Sequence, residues 1–472
     1  MPLARRLAVA LLAALCGVLL LAPAAARAAG YTPTRTDDPP PDGCRPDDCS
    51  LREAVIAANA GGGFDFIQLG ATRYTLTNST PGGGVDAPTD GDLDVTDTSD
   101  LFLLGAGANQ TVIDALGIDR GLDVAPGARL LVYSLQIRNG AARLDTRTGH
   151  WHGGAIHNHG YLGLFWSTLV GNLAGPAWGG GGLTNAGSGT ADLSDDTISG
   201  NATSRCGGGI ENGGTLKAFN VTLVANTAPP GRGPGVSNGT GSSGCFFSAG
   251  TARLNNTIIA NNNDGNCAGT ITTAGHNLAT DTSCALSAPT DVVTGAPGLA
   301  PLLDGSGYVW LYRLLAGSPA IDRGGLRWDP ATDTGCGPVD EAGTARPEDG
   351  NGDGLAVCDI GAHEYTPGFV RGNRFVALRR PEGRARLRVM ALRRAGGALV
   401  ASGSTGRGRT GTVTAAVRAP GRLGLVATGR AVVRRSRYSL RVPLRGRRAT
   451  ITLIYSGDAQ ARPAALKRAL RP

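Results

Sequence analysis

A six-residue phrase recurs through the middle of the chain at a nearly constant interval. Gly153-Gly154-Ala155-Ile156-His157-Asn158 returns as Gly180-Gly181-Gly182-Leu183-Thr184-Asn185 and as Gly207-Gly208-Gly209-Ile210-Glu211-Asn212. A looser copy is Gly233-Pro234-Gly235-Val236-Ser237-Asn238, so the apolar positions 156, 183, 210 and 236 stand 27, 27 and 26 residues apart. A second phrase follows in each unit, at residues 168–172, 197–201, 222–226 and 257–261, opening on Thr and closing on Asn. Leu135-Gln136-Ile137-Arg138-Asn139-Gly140 reads as an earlier, degenerate copy. A fixed period in this range is the mark of a solenoid. Two or three short alternating strands between Gly and Asn corners, which tolerate positive φ, make one coil of a parallel β-helix. Apolar side chains then stack on the same position one coil away, about 4.8 Å along the axis. Asn158, Asn185, Asn212 and Asn238 are placed to form a side-chain amide ladder. A sandwich of antiparallel hairpins would not repeat its turns at this interval.

Composition agrees. The 74 glycines among 472 residues have no Gly-X-Y period, which excludes collagen. Each interior glycine costs a helix about 1 kcal/mol, which disfavours long helices. The net charge of +8 conceals a division: residues 1–367 carry 20 basic and 35 acidic side chains, whereas 368–472 carry 25 and two. Two modules of opposite sign are expected.

At the amino terminus, Arg5 and Arg6 precede an apolar run from Leu7 to Leu21 and an A-x-A site at Ala26-Arg27-Ala28. This predicts a secretory signal peptide cleaved near Ala28 or Ala29. The run is shorter than the ~20 residues that span a bilayer, and Leu15 before Cys16 lacks the small residue of a lipoprotein site. No later stretch is long and apolar enough to span. The expected localisation is secreted, or associated with a bacterial cell surface or wall. Without Cys16, eight cysteines remain: Cys44, Cys49, Cys206, Cys245, Cys267, Cys284, Cys336 and Cys358. An even number in an oxidising compartment predicts disulfides, although spacing alone leaves connectivity open. The simplest pairing is local, 44–49, 267–284 and 336–358, leaving 206–245 across adjacent units. Thiolate metal sites are the alternative, but no CxxC pair is present.

Cys49-Ser50-Leu51-Arg52-Glu53-Ala54, followed by Ile56-Ala57-Ala58-Asn59 and Phe66-Ile67-Gln68-Leu69, resembles the exported bacterial family named for its CSLREA motif. That resemblance implies a right-handed parallel β-helix behind the motif. Leu51, Ala54, Val55 and Ala58 share one face of a short helix, suited to plug the open end of the first coil. Gly317-Ser318-Pro319-Ala320-Ile321-Asp322, Ala345-Arg346-Pro347 and Cys358-Asp359-Ile360-Gly361-Ala362-His363-Glu364-Tyr365 look like the choice-of-anchor segment that closes many such solenoids. The repeat phrases are also similar to those of polymorphic outer-membrane proteins and the pectin-lyase-like superfamily. From about Phe369, period-two runs between Gly/Arg-rich turns predict roughly seven strands of an antiparallel sandwich. Tyr455-Ser456-Gly457-Asp458-Ala459 resembles the closing phrase of bacterial Ig-like repeats. The expected organisation is a signal peptide over 1–29, a β-helix over 30–366 and an Arg-rich Ig-like sandwich over 369–472.

Function divides two ways. The resemblance to pectin-lyase-like enzymes implies cleavage of acidic polysaccharides by carboxylates on the outer face. Asp195 and Asp196 share a coil with Asp192, and the repeat register stacks His157, Thr184, Glu211 and Ser237. His157 and Glu211 then lie two coils apart, roughly 9–10 Å, as a candidate acid/base pair. No Lys or Arg partner falls in register there, so the leading expectation is a non-catalytic adhesive or glycan-binding scaffold. Arg386, Arg388 and Arg441 occupy outward positions of the C-terminal strands and would attract anionic envelope polymers or acidic polysaccharide. Nucleic acid is disfavoured, because no stacking aromatics alternate with the arginines. Asp349, Asn351 and Asp353 match the first half of an EF-hand loop, but Ile360 stands at the twelfth position, where a bidentate Glu is required. Weak structural calcium there, helped by Asp359, is weighed against a polar hairpin. Asp90-Gly91-Asp92-Leu93-Asp94 is a similar acidic patch. His150, His152, His157 and His159 are either a transition-metal site or a polar loop.

Overall fold

The computed structural model describes residues 29–78, 88–142, 152–175, 179–239, 245, 250–300, 311–325 and 335–365. In the C-terminal module it describes 388–395, 398–404, 412–418, 427–432, 437–443, 449–455 and 464–470. Of the signal peptide predicted over 1–29, residues 1–28 lie outside the described residues, whereas Ala29 opens a strand, Ala29–Tyr31, of the solenoid.

Three parallel sheets of nine, seven and nine strands wind together as a β-helix. A typical coil runs through Ile156–Asn158, Tyr161–Phe165 and Thr168–Val170, one strand in each sheet. The next runs through Leu183–Asn185, Thr190–Ser194 and Thr197–Ser199, in register with the first at every strand. Ile156, Leu183, Ile210 and Val236 stack inside without solvent exposure. Burial of each such side chain contributes about 1.5–3 kcal/mol. The paired glycines of the repeat have a packing cause. A Cβ on Gly154 would stand 2.2 Å from the Gly181 carbonyl oxygen, and one on Gly181 would stand 2.4 Å from that of Gly208.

The expected ladder is present, with Asn158 donating to Asn185 at 2.7 Å, Asn185 to Asn212 at 2.7 Å and Asn212 to Asn238 at 2.6 Å. A second ladder was not anticipated. It passes from Asn172 through Asn201 and Asn226 to Asn262 at 2.9, 3.1 and 3.1 Å. Matching the second phrase by letter places Asn261 in this row, one residue out of register. Thr222 pairs with Ile258, not Thr257, so Asn261 takes the left-handed corner held elsewhere by Gly171, Gly200 and Ala225. Registry follows the inward stack, in which Ile259 rather than Ile258 continues the row of Leu169, Ile198 and Leu223. Replacing Asn185 by Ala removes one rung between two buried neighbours. It is expected to cost roughly 1–3 kcal/mol in chemical denaturation.

A helix, α1 (Leu51–Gly61), closes the N-terminal end, and its buried Leu51, Ala54, Val55 and Ala58 join the solenoid core as expected. Ser50 caps it and Glu53 completes a capping box, with Ser50 N 2.7 Å from Glu53 Oε2. All four disulfides pair as expected: Cys44–Cys49, Cys206–Cys245, Cys267–Cys284 and Cys336–Cys358. Residues 311–325 and 335–365 contain little regular structure and lie along the outside of one nine-stranded sheet. There Leu314, Ala320, Ile321 and Ile360 build a second core with Val224, Ile258, Ala260 and Leu278.

The C-terminal module has seven strands in antiparallel sheets of three and four. In order of sequence, the first, second and fifth strands form one sheet, and the fourth, third, sixth and seventh the other. This is a Greek-key sandwich pattern. Ala401, Val413, Tyr438 and Leu440 are buried in it.

Candidate functional site

The four residues singled out as candidate catalysts are at most 1% exposed: Asp195, Asp196 and His157 at 0%, Glu211 at 1%. His157 and Glu211 hold the register positions expected, with Thr184 between them. His157 is drawn into a charge cluster rather than toward Glu211. Its Nδ1 lies 3.1 Å from Asp123 Oδ2 and 3.3 Å from the Arg120 guanidinium. With the Nδ1 proton present, Asp123 accepts from both. Arg120, itself buried, also reaches Asp92 at 2.7 Å and Asp119 at 3.6 Å. Burial, helped by Asp119, Asp94 and Asp123, pushes the Asp92 carboxyl well above its usual range against the pull of Arg120. The acidic patch around Asp92 is thus a packed contact between turns. His152 stacks on the His157 ring at 5.1 Å and His159 meets it edge-on at 4.3 Å, while His150 lies outside the described residues.

Asp195 occupies a corner between two sheets with φ of +60°. The same left-handed corner is taken by Ser134, Trp166, Asn220 and Asn256 in neighbouring coils. Asp and Asn suit it because their short polar side chains bond locally. Asp195 accepts from Asn220 at 3.1 Å and pairs with Arg346 at 3.0 Å. Asp196 accepts from the main chain of Ser167 and Ser194 at 2.8 and 2.7 Å, and burial raises its carboxyl well above the ordinary value. Asp195 therefore belongs to the seam where the 335–365 segment seats, whereas Asp196 is held by its own coils and feels that segment only through the charge of Glu341. Glu341 reaches Thr168 at 2.8 Å and Thr197 at 2.5 Å in that seam, and Arg346 pairs with Glu364 at 3.1 Å.

The open surface lies on the other nine-stranded sheet, where registered strands align rows of side chains. One row is Tyr161, Thr190, Thr215 and Thr251, and the next is Gly163, Asp192, Lys217, Arg253 and Thr272. Thr215, Lys217, Thr251 and Thr272 are exposed and Asp192 and Arg253 half-buried. Half-buried Phe165 and Phe219 flank this strip. Arg129 sits 4.1 Å above the Tyr161 ring, and Tyr161 donates to Asp192 at 2.8 Å. Hydroxyls, cations and ring edges at a spacing of about 4.8 Å can hydrogen-bond and stack along an extended polar chain. The signal for this face was present as Thr-Ala-Asp-Leu-Ser, Thr-Leu-Lys-Ala-Phe and Thr-Ala-Arg-Leu-Asn, each with period two. Attention to single acids missed it.

In the C-terminal module, Arg388 and Arg441 are exposed and Arg386 lies outside the described residues. Arg388 opposes Ser404, which opposes Arg437, and Arg437 and Arg441 are four apart on one strand. These registers put exposed Arg388, Arg437 and Arg441 on one face of the three-stranded sheet. In the 349–354 loop, Asp349 accepts from Gly352 and Gly354, and Asp353 from Leu355. Asn351 accepts from Asp353 N at 2.8 Å. Asp359 is occupied elsewhere, by the main chains of Asp322 and Tyr365. Among the described residues no group of three or more His, Cys, Asp or Glu is placed to hold a metal ion.

No family model matches this chain, and no curated protein is significantly similar to it.

Proposed function

We propose that this is an exported β-helix scaffold of CSLREA, choice-of-anchor type that binds glycan or anionic envelope polymer without cleaving it. The observation that carries the reading is the contrast between sealed acids and an open polar strip. Asp195, Asp196, Glu211 and His157 are withdrawn from solvent into structural contacts. The Thr215/Lys217/Arg253 face and the Arg388/Arg437/Arg441 face present cations outward or nearly so. A polysaccharide chain would lie along the axis of the solenoid, its hydroxyls meeting the threonine row and its carboxylates the cationic one. The C-terminal arginines would supply a second, salt-sensitive attachment. Four disulfides suit an oxidising, extracellular setting.

The test is retention of the mature chain on immobilised acidic polysaccharide and on isolated cell wall, with and without residues 368–472. Binding that weakens in high salt, falls several-fold on deletion of 368–472 and falls again in Lys217→Glu/Arg253→Glu supports the reading. Release of unsaturated or reducing sugar ends by the purified chain would overturn it in favour of a lyase or hydrolase. Retention indifferent to salt would remove the electrostatic attachment.

A further inference from the structure

Ala29–Tyr31 is the outermost strand of one nine-stranded sheet and pairs in parallel with Asp65–Gln68. At its head, the Ala29 nitrogen donates to Asp65 Oδ1 at 2.6 Å, and Asp65 is 1% exposed. The other carboxylate oxygen is pressed against the end of α1: a Cβ on Gly61 would stand 2.8 Å from Oδ2. That helix stops at a left-handed Gly62 and has no basic residue in its last turn. The Asp65 carboxyl is therefore buried beside the negative end of a helix dipole, a setting in which a full positive charge on the Ala29 nitrogen strengthens the contact already made. The strand is firmly held. Tyr31 donates to the Ala57 carbonyl at 3.1 Å, and Gly30 lies so close beneath Phe66 that a Cβ would come within 2.3 Å of its ring.

The nitrogen on Asp65 belongs to the residue that follows Ala26-Arg27-Ala28, the small-residue site closing the export signal. We propose that the Ala28–Ala29 bond is the processing site and that the ammonium released there is captured by Asp65, so that cleavage completes the N-terminal cap. The step needs only water, added by a signal peptidase across the amide. Ala28 departs as a carboxylate, and the Ala29 nitrogen becomes an ammonium with three donors and a full charge. The nitrogen already lies at bonding distance, so nothing else has to move. Cleavage one residue later, the other position the signal allows, would discard the contact. This inference rests on the export reading above.

The test compares the chain beginning at Ala29 with the same chain retaining Ala28 and with an N-acetylated Ala29 chain. At about pH 6 the free Ala29 chain is expected to melt at least about 3 °C above both. An amine that gains a partner has its folded pKa raised above the usual ~8. Its contribution is thus complete below that value, and the gap should close as pH rises through the raised one. In Asp65→Asn the three chains should melt together; the acetylated chain keeps the comparison available if that variant does not fold. Mass analysis of secreted protein should give Ala29 as the first residue. Secretion with a different first residue, or equal melting of the three chains, overturns the capture while leaving export standing. Failure to secrete overturns export itself, and the melting comparison then still decides capture on its own.

Discussion

Replacing Arg52 by alanine is expected to destabilise the solenoid by about 3–5 kcal/mol, the scale for removing one partner of a buried ion pair. The Arg52 residue is 1% exposed and grips both Asp38 oxygens, at 2.8 and 2.9 Å. Its remaining donors reach the Gly91 and Asp92 carbonyls, each at 2.6 Å. Asp38 in turn accepts from the main chain of Thr77 and Asn78 at 3.0 Å. One side chain thus ties the segment before the helix to two loops of the first coils. Alanine leaves the Asp38 charge and two carbonyls buried without it. Arg52→Lys keeps the charge but cannot form the fork, so an intermediate loss is expected. Urea unfolding of these variants, with Arg52→Met/Asp38→Asn to remove both charges, checks the assignment. If Arg52→Ala costs under about 1 kcal/mol, the pair does not hold the cap.

The seam under the closing segment should make the protein more stable in mild acid than in base, the reverse of the usual behaviour of paired carboxylates. Burial pushes Glu364 up to about 8 and Asp359 up to about 7, despite the nearby Arg346 guanidinium. Burial likewise raises Glu341 well above its ordinary value, against the Thr197 and Thr168 hydroxyls, with Asp340 and Asp195 adding to the rise. A carboxyl whose folded pKa is raised holds a proton in the native state that the unfolded chain has released. Its contribution is therefore complete below the ordinary carboxyl pKa and is lost as pH climbs through the folded value. The melting temperature is expected to fall from about pH 5, most steeply below about pH 7, where the native chain still holds protons the unfolded chain has lost, and to level off by about pH 9, once Asp359 and Glu364 have titrated in the folded state. Proteolysis of the 335–365 segment should accelerate over the same window. Glu364→Gln, neutral throughout, should flatten the dependence, and a melting temperature that rises across the window would refute this account. The Arg346 guanidinium holds Asp195, Glu364 and the Gly361 carbonyl from a fully buried position in the seam. Burial works against its charge, but Asp195, Glu364, Asp340 and Asp359 together outweigh it and raise its pKa, so it stays charged across the whole range.

How far the residues could be read in advance depended on whether their partners repeat. Within Cys49–Ala54 the Cys49 disulfide and the core face of Leu51 and Ala54 were legible at close range, whereas Arg52 finds Asp38 14 residues away and Gly91 39 residues away. The Asn158–Asn238 row and the inward Ile/Leu/Val row were legible because each partner lies one period away. The Asn172–Asn262 ladder was half legible. Letter matching chose Asn261, whereas packing of Ile259 in the core decided the register. Asp195 looked like a free acid because its partner, Arg346, is 151 residues distant and lies in a segment with no repeat. Glu341 reaches Thr168 across 173 residues in the same way.

From sequence alone, the 27-residue period, the alternating apolar positions and the Gly/Asn corners determined a solenoid, and the change of charge and of period after residue 367 marked a separate basic β module. The solenoid was legible because its contacts lie between neighbours in the chain or one coil away, which leave a periodic trace. Which acids are buried, which sheet is covered by residues 311–325 and 335–365 and which keeps its threonine and cation rows open were decided only by the tertiary structure. Those outcomes depend on where a single, non-repeating segment comes to rest, and burial then converts acids that look catalytic into seams that hold the fold.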